Sequence, residues 1–418
     1  MPIGRAELPQ HSRTMLTRGE QMLALRRRRM AASPPFLRGG FRPFFLAGAA
    51  WAVCALVLWL LNLSGQFALP TLMDPLSWHR HEMLFGFVGA VVAGFLLTAI
   101  PNWTGRLPIA GAPLAAFAAL WLAGRLAMLF SGALGADVTA VLDVSFLVLL
   151  ALIAGREVLA AKNRNVPIVA MVLALALANA IDHLTMAEVI TDPLLGVRIA
   201  IGVITMLIAL IGGRIIPSFT RNWLAKRGEA EHLPTQANRF DLACLAITGV
   251  SLLLWVALPA STLTGAALLL AGGLQFTRLA RWQGHRTFAD PLVLILHVGF
   301  LWVPVGLALL GISILSPEVP QSAAVHALTA GAMATMILAV MTRASLGHTA
   351  RELRADRATQ LLYGLVTAGA VARVAAPILV SLYTELMRGS ALLWGAAFIL
   401  FVVRYGPILV GPRVGESR

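Results

Sequence analysis

The sequence predicts an all-α polytopic membrane bundle of about twelve transmembrane helices, and three observations carry that reading. Of 418 residues, 58% are hydrophobic and only 12% charged, about half the charge that a soluble domain uses to dress its surface. Mean hydropathy is +0.80. The apolar residues gather in runs of about 20, the length that crosses a hydrocarbon core at ~1.5 Å rise per residue. No window alternates as a membrane strand does.

The first run, near 41–62, follows an arginine-rich tail over 1–38 that is expected to be disordered and cytoplasmic. Arg26 to Arg29 read as a topology anchor, because the run after them is too long for a signal peptide and lacks a small-residue cleavage site. The second run, 76–100, opens on Asp74-Pro75-Leu76, an N-cap with a first-turn proline, and closes at Pro101-Asn102-Trp103-Thr104. The third and fourth, 111–130 and 138–159, carry Arg125 and Asp143. The fifth, 166–186, ends on Asp182-His183. The sixth, 193–216, repeats the Asp-Pro-Leu opening at Asp192 and closes at Pro217-Ser218-Phe219-Thr220. The seventh and eighth, 240–258 and 261–280, are parted only around Pro259. The ninth, 290–314, opens on Asp290-Pro291-Leu292, and the tenth, 322–343, ends on Met341-Thr342-Arg343. The eleventh and twelfth are 358–380 and 386–410.

These marks recur every four runs, which implies one transmembrane domain, 39–412, built from three four-helix units near 39–160, 161–285 and 286–412. Net charge is +14, nearly all of it arginine. Such a balance can signal nucleic acid, but here the bases fall on the tail and on every second loop, Arg278, Arg281 and Arg286 among them, the positive-inside pattern. It excludes a nucleic-acid role and puts both termini in the cytoplasm, with a lipid bilayer as the first partner. Cys54 and Cys244 lie in apolar runs and form no metal or disulfide motif. No phosphate-binding loop, dinucleotide fingerprint, zinc-protease or serine-nucleophile motif is present.

Ionisable groups inside a bilayer are costly and usually functional. Arg125, Asp143, His79, His81, Glu82, Asp182, His183, His326 and Arg373 all fall toward the extracytoplasmic ends of their runs, so they form one layer. His297 lies in the cytoplasmic half. Arg125 and Asp143 share a depth and are expected to pair. His81 and His326 open equivalent helices and each has a glycine five residues on, Gly86 and Gly331; they are expected to offer imidazoles to one cofactor from opposite sides, with Arg125 and Arg373 in the same layer. His79, His183 and Asp182 share that layer and are further candidates for holding a metal. Met333, Met336 and Met341 are expected to pack, and Trp51, Trp78, Trp103 and Trp223 to anchor the membrane interface.

Several runs carry a resemblance: Gly40-Phe41-Arg42-Pro43-Phe44-Phe45; Trp78-His79-Arg80-His81-Glu82-Met83-Leu84-Phe85-Gly86; Pro101-Asn102-Trp103-Thr104-Gly105; Gly213-Arg214-Ile215-Ile216-Pro217-Ser218-Phe219-Thr220; and His326-Ala327-Leu328-Thr329-Ala330-Gly331. Together, over about 36–410, the chain resembles the NnrS family of bacterial membrane proteins. The resemblance implies twelve spans, haem and copper as cofactors, and a part in denitrification and protection against nitric oxide or a nitrosyl species. It implies no reaction; given those cofactors, His81 and His326 are expected to be the axial haem ligands with Arg125 and Arg373 at its propionates, and His79 and His183 to bind copper with Asp182 orienting them. The alternative is a twelve-span secondary transporter or small-solute channel. A third reading is an assembly partner for haem proteins. Three four-helix units also resemble haem–copper oxidases in fold alone, without their histidine and tyrosine motifs.

Overall fold

The computed structural model describes residues 32–229, 231 and 233–416; nearly all of the expected basic tail lies outside them. Among the described residues there are twelve long helices and no strand: α1 (Phe41–Leu63), α2 (Pro75–Thr104), α3 (Ala112–Leu129), α4 (Ala136–Ala160), α5 (Val166–Met186), α6 (Leu195–Lys226), α7 (Arg239–Ala257), α8 (Thr262–Ala280), α9 (Pro291–Leu315), α10 (Gln321–His348), α11 (Arg357–Ala375) and α12 (Tyr383–Val410). Eleven are long and apolar enough to cross a membrane. The exception is α11, which carries Arg357, Thr359, Gln360, Thr367 and Arg373.

Geometry nevertheless makes α11 a crossing. Arg42, at the start of α1, is buried and donates from Nη1 to the carbonyl oxygens of Leu409 at 2.8 Å and Gly411 at 2.6 Å, at the end of α12. The bundle is therefore entered and left at the same end, which requires an even number of crossings. The guanidinium also satisfies carbonyls that the last helical turn leaves without partners.

Caps set several boundaries. Asp74 accepts from the backbone of Leu76 and Ser77 at 2.9 and 3.0 Å, and Asp290 from Leu292 at 3.0 Å. The third copy, at Asp192, makes the same contact, accepting from Leu194 N at 3.0 Å, but α6 begins only at Leu195, and Arg198 one turn inside the helix shares the carboxylate. Asp356 caps α11, accepting from Thr359 N at 2.9 Å and from Arg404 Nε at 2.6 Å. Partial burial works to raise its pKa, but these hydrogen bonds outweigh it and hold the carboxyl below the usual carboxylate range. The weak break between the seventh and eighth runs is real, with Ser261 capping α8.

The most enclosed helices are α2 and α10, each 72% buried over its apolar window, against 33% for α7 and α12. Small residues let these inner helices approach closely. A Cβ at Gly94 would meet the Phe45 ring at 2.8 Å, and one at Gly299 would meet Met336 Sδ at 2.9 Å. α6 touches both α2 and α10, so the second helices of the three expected units meet near the bundle axis.

Two sequence expectations about side chains are corrected here. Trp51 and Trp78 are not interface anchors: Trp78 is fully buried, and Trp51, midway along α1, turns its indole inward to a carboxylate. Arg278, grouped with the loop bases, lies inside α8 and is buried. It donates from Nε to Asp241 Oδ1 and from Nη1 to Ala209 O, both at 2.8 Å. Gly213 on α6 leaves the space that this guanidinium fills.

Candidate metal centre

The candidate site lies at the end of the bundle opposite the termini, where α2 and α10 begin. Each helix opens as ordinary α-helix, over Pro75–His81 and Gln321–His326, and then passes into a π-helical segment, Glu82–Phe87 and Ala327–Met333. In both, the π segment starts on the residue after the expected histidine ligand. A π turn fits one extra residue into the helix, re-aims the side chains before it, and occurs often at functional sites. The corresponding helix α6 is α-helical throughout Leu195–Lys226, and it has Val197 and Ile199 where α2 has His79 and His81.

The first group gathers around Asp143 on α4. Its Oδ2 lies 3.0 Å from His81 Nε2 and 3.0 Å from His183 Nε2. Its Oδ1 faces Arg125 Nη2 in a close ion pair, so the pairing expected from their depth is present. The other His81 nitrogen, Nδ1, lies 2.8 Å from Asp182 Oδ2. Arg125 Nη1 also donates to Glu82 Oε2 at 2.8 Å, and Trp51 Nε1 donates to the same oxygen. His81 and Glu82 are wholly buried, and Arg125 and Asp143 are 1% exposed. Gly86 completes the packing: a Cβ there would stand 2.5 Å from both Arg125 Nη1 and Glu82 Oε2.

One ligand atom each from His81, Asp143 and His183 fall within 4.8 Å of one another, close enough to share one metal ion. The buried atoms Nδ1 of His183 and both amide atoms of Asn179, one turn earlier on α5, have no hydrogen-bond partner. Unpartnered polar atoms are costly in such a place, and a bound ion with its water would satisfy them.

The second group joins α1, α2, α10 and α11. His79 stacks on Trp59, with ring centroids 4.0 Å apart at 21°. The Arg373 charge acts on both His79 and His326, and His326 also feels His79. His326 Nδ1 lies 2.7 Å from Ser322 O, a contact that fixes this nitrogen as the donor and leaves Nε2 to face a ligand. His79 Nδ1 and Arg373 Nη1 have no partner.

Every residue expected in the layer is thus at one end of the bundle, in two groups. His81 lies with His183, Asp143 and Asp182, whereas His79 lies with His326 and Arg373. Arg125 is committed to two carboxylates. Sequence reasoning missed Asp143 as a candidate ligand and Glu82 as the second partner of Arg125. Depth alone placed both in the layer, but not against which neighbour. His297 stands apart, near the other end, with Nε2 2.8 Å from Thr220 Oγ1.

The family model described as NnrS protein matches residues 35–413. No curated protein matches the chain.

Proposed function

The chain belongs to the NnrS family, and from that membership we propose a haem- and copper-binding protein of the bacterial inner membrane that acts in the response to nitric oxide and is linked to denitrification. The observation that carries the reading is the buried His81–Asp143–His183 group. Two imidazoles and a carboxylate form a donor set that suits copper, and Asp182 on the far nitrogen of His81 orients that ring.

The second group is the one assigned to haem: His326, through Nε2, and His79 would hold it, and Arg373 would pair with a propionate. This exchanges the roles expected of His79 and His81, because both His81 nitrogens already face carboxylates. Arg125, whose Nη1 and Nη2 are held by Glu82 and Asp143, fixes the copper group. Bound together, the two groups would supply metals able to take nitric oxide or a nitrosyl species as ligand. Three four-helix units, 39–160, 161–285 and 286–412, each send their second helix to the centre. The paired π segments of α2 and α10, absent from α6, support first and third units as cofactor-bearing ones. Both termini lie in the cytoplasm.

The test is metal analysis and a visible spectrum of the purified full chain. A Soret band and bound copper are expected. His81→Ala and His183→Ala should lower copper, and His326→Ala should shift or remove the Soret band. A parent protein with neither metal overturns the reading and favours the transporter.

A further inference from the structure

Where α2, α5, α6 and α10 meet, the bundle leaves a partly open void of about 100 Å³. Its walls include Val91 and Phe95 of α2, Ile204 and Ile208 of α6, and Met336 and Ile337 of α10, and every lining residue is apolar or glycine. No side chain there can donate or accept a hydrogen bond. A polar solute or an ion entering it would give up hydration without compensation. Room is not the constraint, since one water needs only about 10–15 Å³ on this measure, but water also needs two or more polar partners. Voids of this kind stay dry and take up small apolar guests.

Position adds to chemistry. Val88, the residue after the π segment of α2, and Met333, the last residue of the π segment of α10, both line the void. It therefore starts where the two histidine-bearing helices leave their π turns and runs along their inner faces toward the other end, past Ile215 and Val340. All of its walls lie within the bodies of the spans, at the depth of the hydrocarbon.

We propose that this void takes up a small uncharged diatomic gas from the bilayer and holds it beside the histidine layer. Such gases are neutral, apolar and small, and the void offers them a dry apolar space at the depth of the phase in which they dissolve. Delivery of the gas to a metal rests on the function proposed above; uptake by the void does not.

Xenon serves as the probe. The purified full chain, crystallised from lipid and pressurised with xenon, should show xenon between Val91, Ile208 and Ile337. Ile337→Trp and Val92→Phe, two independent ways to fill the void, should each lose that xenon. The His81→Ala/His183→Ala variant should keep it. Absence of xenon from a folded parent, ordered water along the void, or a lipid acyl chain seated in it overturns the proposal. Xenon present in a protein that contains no metal sinks the proposed function and leaves the gas pocket standing. In the metal-bearing parent, stopped-flow mixing with nitric oxide should show slower association in both filled variants. An unchanged rate in both overturns delivery through the void.

Discussion

Asp143 holds the candidate centre together at the scale of single residues. One oxygen faces Arg125 and the other lies 3.0 Å from two imidazole nitrogens. Removing one member of a buried ion pair typically costs about 3–5 kcal/mol, because the remaining charge is left without compensation. Arg125→Met should therefore be severely destabilising, and it strands two carboxylates rather than one. Pairing it with Asp143→Asn recovers only part of the loss, and the triple variant that adds Glu82→Gln recovers more. Thermal unfolding in detergent checks the order; additive losses across the three positions would show that the groups do not share one network. Gly86 gives a second residue-scale expectation. Gly86→Val drives a side chain into Arg125 Nη1, Glu82 Oε2 and Trp51 Nε1, so it should lower metal content and stability together, while Gly364→Ala, which meets nothing within 4 Å, should change neither.

Helices α2 and α10 place those residues by changing their own pitch. Deleting Met83 turns the π segment of α2 into plain α-helix and rotates His81 by about 100° relative to the body of the helix. The chain should still insert and accumulate, but without the metal of the His81 group; unchanged metal content in a well-folded deletion would mean that the π turn does not aim the ligand. At the opposite end, the Asp356 cap gives a pH dependence. Its carboxyl is held below its ordinary range in the folded state, so it stabilises the start of α11 above that range, and the contribution is lost as pH falls through the lowered value. The protection factor of the Thr359 amide should fall on acidification, and Asp356→Asn should remove that fall. How legible were the elements? All twelve runs became helices, since apolar length is a local property. Less legible were their ends: α6 runs ten residues beyond the expected 216, through Pro217 to Lys226, because α6 continues past its apolar core.

For the whole molecule, the shared end fixed by Arg42 and the last turn of α12 gives an even number of crossings, and from the loop charges that end is expected in the cytoplasm. Alkaline phosphatase fused at residue 135 should be active and at residue 160 inactive; the reverse pattern would invert the orientation. The sequence alone determined the class of protein and the layer in which its polar groups lie. Hydropathy and charge act through the bilayer, which sorts residues by depth without reference to any particular neighbour. It also supplied the motifs of the family. Partner choice within the layer came from the tertiary structure alone. His81 meets His183 and Asp143 rather than the partner its position in the repeat suggested, and Arg278 leaves the loop bases to pair with Asp241. Depth is one coordinate along the membrane normal. Which imidazole faces which carboxylate depends on helix rotation, π turns and the order of helices around the axis, and those follow only from packing.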